Sequence, residues 1–515
     1  MSIRSAERRR SEERLRFSIL FLVLASAASA QTTLIRGAMV MDGLGAPARM
    51  TNVLIAGDRI AAIGELHNSR PDRVIDAKGL VLAPGFIDVH NHSDRGFGND
   101  PAAASQVSQG ITTLAVGVDG GSSFPIADWF TQRRAHPIAV NVLTFVGHAT
   151  VRSRVMGANY RRQATAAEIA RMAELVEQGM REGALGLSTG LEYEVGSYSS
   201  TEEIIVLARA AAKYKGIYVS HIRDESDLAF DSFREVIRIA SDAKIPCHIS
   251  HIKLGTVGVW NKAPDAVKLL QAARASGLDI TADFYPYDAW SSTMTVMVPN
   301  KKYDDPVSVK RALDDVGGPQ NVTIINCAKH PEYEFKNLKE IADMKHVTAV
   351  DVFIGIVRDG GASVVGHAMT NADMREFFVQ PWVMVASDGG IGMRHPRSAG
   401  TFPRVLGRYV REQHWVTLPE AVRKMTSLPA ARLGLKDRGV IQVGMKADLV
   451  LFDPAQVVDE ATFPEPAKLS VGISHVWVNG VAVWFAGRVT AARPGVTLAR
   501  PGTAINSPPT TGIRQ

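Results

Sequence analysis

The sequence predicts an α/β fold: a (β/α)₈ TIM-like barrel with a small β-sandwich built from both termini and an inserted subdomain. Three observations predict it. Four short apolar runs end in a potential metal ligand, helix-like segments lie between them, and two groups of short strands flank the whole. The runs are A-P-G-F-I-D-V-H-N-H (83–92), G-I-Y-V-S-H (216–221), I-P-C-H-I-S-H (245–251) and P-W-V-M-V-A-S-D (381–388). Each is bounded by turn or charged residues, as a parallel strand covered on both faces should be. Ser232–Ala243 and Pro264–Ala275 read as helices, the second opening with proline, where a helix tolerates it. Barrel chemistry gathers at the carboxyl ends of the strands, and every ligand candidate falls at such an end.

Taken in order, residues 1–30 come first. They are Arg-rich to position 16, then apolar, and close on Ala28-Ser29-Ala30, a small-x-small cleavage site. That is the pattern of a secretory signal peptide, too short for a comfortable membrane span, so a periplasmic or secreted protein with no stable membrane insertion is expected. The leader holds six arginines and three glutamates, and its removal takes the formal charge from +6 to +3. No Lys/Arg run with interleaved aromatics appears, so nucleic-acid binding is unsupported. Residues 31–83 and 435–500 supply the two strand groups of the sandwich, and the barrel spans 84–434. Its strands are expected to end near His92, Asp119, His148, Glu192, His221, His251, Tyr285 and Asp388. The stretch of about 288–366 is too long for an ordinary βα loop and reads as a lid or binding element. Residues 501–515, rich in Pro, Thr and Ser, read as a loose tail. Apolar residues at 46% suffice for a large core.

On a strand, His90 and His92 point the same way, with Asp88 one step behind. Together with His221, His251 and Asp388 they form a metal-site hypothesis, with zinc the favoured ion. Asp388 is also the candidate acid–base, since a carboxylate beside activated water can take its proton and hand it to a leaving amine. Lys253 shares the parity of His251, and a buried lysine needs an anion such as a substrate carboxylate. Arg223 stands in the same relation to His221, with a structural ion pair to Asp224 or Glu225 as the alternative. Tyr193, Tyr285 and Tyr287 are candidate hydroxyl donors, and Arg397 could fork onto a carboxylate. His148 and Arg152 are expected to support the site, and His248, His395 and His414 to be structural. Cys247, one of two cysteines, shares parity with His251 and is expected as a core thiol facing the barrel interior.

The chain resembles the amidohydrolase superfamily, and within it the D-aminoacylase (N-acyl-D-amino-acid deacylase) family. The carriers are P-G-F-I-D-V-H-N-H (84–92), G-L-S-T-G-L-E-Y (186–193), H-I-R-D-E (221–225), S-H-I-K (250–253), D-F-Y-P-Y (283–287), S-D-G (387–389) and H-P-R (395–397). The resemblance implies a metal-dependent hydrolase cleaving the amide of N-acyl amino acids, those of D configuration in particular. It also implies a lid over the site, and a substrate α-carboxylate held by Lys253, Tyr193 and Arg397. One departure stands out: the family has G-N-C-G at the second strand end, with a zinc-binding cysteine, whereas this chain has G-V-D-G (117–120). A hard oxygen ligand weakens the preference for zinc over other divalent ions. Glu192 falls where other amidohydrolases carry a bridging carboxylated lysine. One or two metals are therefore expected, with Glu192 bridging and Asp119 coordinating or adjoining; the alternative makes Asp119 a turn residue and Glu192 an outer acceptor. Ser291–Pro299 lacks the arginine of acid-specific members and holds Met294 and Met297, which favours a neutral or apolar substrate side chain. Competing readings are a metallo-dipeptidase, a cyclic amidase or lactonase, and an exported binding protein. The partner is a small molecule with a free carboxylate, and an oligomer is left open.

Overall fold

A computed structural model describes residues 31–500 and 502–503; the expected leader, and the expected tail apart from 502–503, lie outside the described residues. Eight parallel barrel strands follow in chain order. They are β1 (Phe86–Asp88), β2 (Ile111–Val116), β3 (Asn141–Thr144, continued by Val146–Gly147) and β4 (Gly186–Gly190). After these come β5 (Ile217–His221), β6 (Cys247–Ile249), β7 (Ile280–Phe284) and β8 (Val383–Val385). Each pairs in parallel with the next through β7, and β8 pairs with β7. The ring closes between β8 and β1: Asp388 N donates to His90 O at 2.9 Å and His92 N to Gly389 O at 2.7 Å.

Alternation along the strands separates two apolar layers. Ile87, Ala115, Leu143, Phe145, Val219 and Met384 meet in one cluster inside the barrel. Neighbours of opposite parity, such as Leu114, Val142, Leu187 and Tyr218, join helix residues outside it. Helix Ala229–Ala243 shows why the helices lie flat on the strands. It buries Phe233, Val236, Ile239, Ala240 and Ala243, the spacing of one helical face. Helix Ala166–Arg181 starts at Thr165, whose side chain forms a capping box with Glu168.

Both chain ends meet in one continuous nine-stranded sheet. Strand Val81–Pro84 pairs antiparallel with Leu449–Phe452 and so stitches the N-terminal strands to the C-terminal ones. One face of the sheet encloses Ile35, Val53, Leu82, Leu449 and Trp477. The other puts Val450, Phe452 and Val476 against the barrel.

The insertion forms a three-stranded antiparallel sheet, Ala289–Thr293, Val322–Asn326 and Ser363–His367. Three helices join it, Pro306–Asp315, Leu338–Lys345 and Ala349–Arg358. It has a core of its own, built on Met294, Val309, Ile324, Leu338, Phe353 and Val364. Polar contacts tie it to the barrel rim: Arg311 to Asp227 at 2.9 Å, and Lys301 Nζ to Ser197 Oγ at 2.6 Å. The segment therefore roofs the carboxyl ends of the strands as a separately packed unit.

Phe145 is fully buried inside the barrel. Phe145→Ala is expected to cost about 3–5 kcal/mol through lost contact and a residual cavity, read as a lower midpoint in urea unfolding.

Candidate metal centre

The strand ends bring the predicted ligands together. His90 and His92 lie just past β1, in a bend that Asp88 holds: its carboxylate accepts from Ser387 N (2.9 Å), Ser387 Oγ (2.5 Å) and Asn91 Nδ2 (2.9 Å). Asp119 sits at the middle of the cluster. Its carboxylate oxygens lie 3.4 Å from His90 Nε2, 3.4 Å from His92 Nε2 and 3.6 Å from His251 Nε2. Asp388 Oδ1 stands 3.5 Å from His90 Nε2 and 3.2 Å from His92 Nε2. On the far side His221 Nδ1 and His251 Nε2 approach to 3.1 Å. Three donor sets result among the described residues, His90–His92–Asp119–Asp388, Asp119–His221–His251 and Glu192–His221–Glu225, with donor atoms in each set within 4.8 Å of one another. Asp119 belongs to the first two.

Local backbone makes this convergence possible. Asp119, His251 and Asp388 adopt φ of +54°, +35° and +49°, conformations uncommon outside glycine that concentrate at functional sites. Each steps out of strand geometry and swings its side chain inward. Gly120 and Gly190 permit the close approach of β2 and β4: a Cβ on Gly190 would lie 2.4 Å from Asp119 O, and one on Gly120 2.9 Å from Gly190 N.

The donors suit a divalent cation. Both ring nitrogens of His90 and Oδ1 of Asp119 are buried without a hydrogen-bond partner among the described residues, an arrangement that costs free energy unless an ion takes them up. Imidazole and carboxylate are ligands of zinc, manganese and similar ions. Carboxylates also back the imidazoles from outside: His221 Nε2 lies 2.7 Å from Glu192 Oε2, and His251 Nδ1 3.0 Å from Glu225 Oε1. Such partners fix ring orientation and raise ligand basicity.

The electrostatics are those of a site seeking positive charge. Burial works to raise the pKa of Asp119, but His90, His251 and His92 hold it well below the carboxylate range. Burial likewise opposes ionisation of Asp388, and Arg397, His251 and His92 outweigh it, so its pKa is also lowered. Burial lowers the pKa of His92, yet Asp119 and Asp388 bring it up to about 9.

A cavity of about 520 Å³ opens beside the cluster, lined near it by Tyr193, Lys253, Tyr285, Asp388 and Arg397. Lys253 Nζ donates to both Glu225 oxygens at 2.7 Å, and Arg397 Nη1 to Asp388 Oδ2 at 2.7 Å. The Tyr285 ring lies 5.6 Å from the Lys253 ammonium and 4.8 Å from the Arg397 guanidinium, and its hydroxyl is buried and unpaired among the described residues. Tyr193 Oη stands 3.2 Å from His221 Nδ1.

Four expectations are corrected. Arg223 does not reach the cavity: its guanidinium is bidentate to Glu235, at 2.7 and 2.9 Å, rather than to substrate, Asp224 or Glu225. Tyr287 is buried away from the site, its hydroxyl donating to Pro396 O and Asp459 Oδ2 at 3.3 Å. Glu192 does not bridge: it lies on Nε2 of His221, in a donor set with Glu225, and the carboxylate shared by the other two sets is Asp119. Cys247 faces the helix layer, because the left-handed turn at His251 breaks strand parity. His148 pairs with Glu203 at 2.8 Å behind the site, and Arg152 bonds the same carboxylate. His248 bonds Thr281 and Asp283, and His395 bonds Ala289 O. Two functional carboxylates were not singled out for these roles in the sequence. Glu225 orients His251 and pairs Lys253, and its position four after His221 was the available signal. Asp283, at the end of β7, accepts from His251 N at 2.7 Å.

Asp119→Ala is expected to abolish tight divalent-metal binding at the two donor sets that contain it, whereas His92→Ala leaves the His221–His251–Asp119 set occupied. Metal content after gel filtration checks both. Asp119→Cys is expected to move selectivity toward zinc over manganese, read by competition.

The sequence profile of the amidohydrolase family matches residues 73–299 and 307–484. A D-aminoacylase of Alcaligenes xylosoxydans xylosoxydans is 36% identical over 491 residues, covering 89% of this chain and 97% of its own. A solved D-aminoacylase with a binuclear metal center, for which one-metal activation and second-metal attenuation are described, aligns at a TM-score of 0.82 and 36% identity. It covers 91% of this chain and 99% of its own. An N-acyl-D-glutamate deacylase from Bordetella bronchiseptica, complexed with zinc and a phosphonate mimic of the tetrahedral intermediate, aligns at a TM-score of 0.83 and 34% identity. That match covers 92% of this chain and all of the other. The chain belongs to the amidohydrolase family, on its D-aminoacylase branch.

Proposed function

We propose that the protein hydrolyses N-acyl-D-amino acids with neutral or apolar side chains to a carboxylic acid and a free D-amino acid. One observation carries the reading: Asp388 stands between the metal-ligand cluster and the pocket of Lys253, Tyr285 and Arg397. An amide whose α-carboxylate enters that pocket presents its C–N bond to Asp388. The D configuration is supported by the relatives, which are named for D substrates.

His90, His92, Asp119, His221, His251 and Asp388 would hold the metal, which when bound supplies Lewis-acid activation of water and of the scissile carbonyl. Asp388, ionised and steered by Arg397 at 2.7 Å, takes the proton of the attacking water. It then returns that proton to the departing nitrogen. Arg397, Tyr193 and Tyr285 orient the α-carboxylate, and Lys253 adds positive charge from its place on Glu225.

The remote end of the cavity favours apolar side chains. It is lined by Trp290, Met297, Val298, Ala312 and Val316. Arg311 at its rim is already engaged by Asp227 at 2.9 Å and Asp315 at 3.6 Å, so no uncommitted cation there meets an acidic side chain. A dipeptide fares worse on the other side of Asp388. The space there offers Arg95 and Arg394, and no carboxylates besides Asp119 and Asp388, to a protonated terminal amine. The Arg-rich and then apolar leader supports export, which we include in the proposal.

Purified, metal-loaded protein is expected to turn over N-acetyl-D-methionine at least tenfold faster than its L-enantiomer or N-acetyl-D-glutamate, by kcat/KM. Turnover of dipeptides but of no N-acyl amino acid reverses the reading. Asp388→Asn is expected to lower kcat by roughly 10²–10⁴ while the Asp119–His221–His251 set keeps its metal. N-terminal sequencing of the exported protein is expected to begin at Gln31.

A further inference from the structure

The cluster has a second chamber that the function above does not use fully. About 480 Å³ in volume, it lies on the His92 side of Asp388 and shares Tyr193, Ser291, Ser292, Asp388 and Arg397 with the first cavity. With the amino-acid half of the substrate placed toward Lys253, the acyl half enters this second chamber. An acetyl group displaces roughly two waters' worth of space, ~60 Å³, and leaves most of it unfilled.

The chamber is lined by three arginines, Arg95, Arg394 and Arg397, against Asp119 and Asp388 at its inner end, with hydroxyl and amide groups between. Arg95, exposed and three residues past His92, makes no side-chain hydrogen bond or ion pair among the described residues; its backbone N–H bonds the Asp94 carboxylate, and its guanidinium acts on that carboxylate through space. Arg394, by contrast, is committed to Glu334 and to Ile325 O. The side chains of Ser291, Ser292, Asn326 and Ser363 also line the chamber and make no hydrogen bond among the described residues. A free guanidinium facing unused hydroxyl and amide groups suits a carboxylate at the distal end of a short chain.

We propose that this chamber selects acyl groups ending in a carboxylate, so that the preferred substrates are N-(dicarboxylic acyl) amino acids of succinyl size, with Arg95 as the specificity-determining residue. This rests on the acylase reading above and narrows it. In the reaction the amide C–N bond breaks, water oxygen bonds the carbonyl carbon, and the proton carried by Asp388 passes to the amine. The products are a dicarboxylate and a free amino acid.

The test uses the metal-loaded protein with the N-succinyl, N-succinamoyl and N-acetyl derivatives of one D-amino acid. The succinyl compound is expected to exceed both others by five- to tenfold in kcat/KM, an advantage that salt erodes. Arg95→Met is expected to bring the succinyl-to-succinamoyl ratio to about one, and Arg95→Lys to restore part of it. Equal or better turnover of the acetyl or succinamoyl compound, or a ratio indifferent to Arg95→Met, overturns this inference and leaves the acylase reading standing. Hydrolysis of none of the three overturns both.

Discussion

Everything in this site depends on the burial of Asp119 among imidazoles. A carboxylate withdrawn from water is tolerated only beside positive charge, and the neighbours of Asp119 supply it in a form that can be exchanged. Asp119 and Asp388 bring the pKa of His92 up to about 9 against the opposing effect of burial. Burial and Lys253 press downward on His251, and Glu225, Asp388 and Asp119 still carry it up to about 10. The cluster can therefore hold protons or a divalent cation, and the second displaces the first. The placement of the strands, the left-handed turns at Asp119, His251 and Asp388, and the glycines that let β2 approach β4 all serve that one burial.

Much of this was legible in the sequence because ligands at strand ends leave a periodic trace. The apolar runs ending in His92, His221, His251 and Asp388 identified the barrel and named the cluster. What the sequence hid are contacts between distant segments and departures from strand geometry. Arg223 finds Glu235 twelve residues on, on the face of the next helix, and Tyr287 finds Asp459 across the domain boundary. Parity placed Cys247 with His251, and a single residue at φ +35° undid it. Glu192 was read as the bridge by analogy with a lysine position. The structure gives the shared place to Asp119.

The lid is separable from this chemistry in packing and inseparable from it in shape. Its core of Met294, Ile324 and Phe353 owes nothing to the barrel, so side chains on its lower face can vary without disturbing the metal ligands. Ser291 and Ser292, on its first strand, line both chambers, while Met297 and Val298 line one and Asn326 the other. One inserted unit thus lines both chambers beside the metal-ligand cluster.

Charge balance explains why the substrate should be an anion. With the histidines neutral, Asp119, Asp283, Asp388, Glu192 and Glu225 face only Lys253 and Arg397 among the described residues, leaving three negative charges in a buried cluster. One divalent ion leaves the cluster with a single negative charge, and a second gives it an excess of positive charge. Lys253 and Arg397 are each already paired with a protein carboxylate, so neither alone would draw a substrate carboxylate from water strongly. Added metal charge changes that, because a bound divalent cation is the largest local charge in such a site and is screened less among buried groups than in bulk water. Metal loading and carboxylate affinity are therefore linked: the ion that activates the amide also attracts the group that positions it.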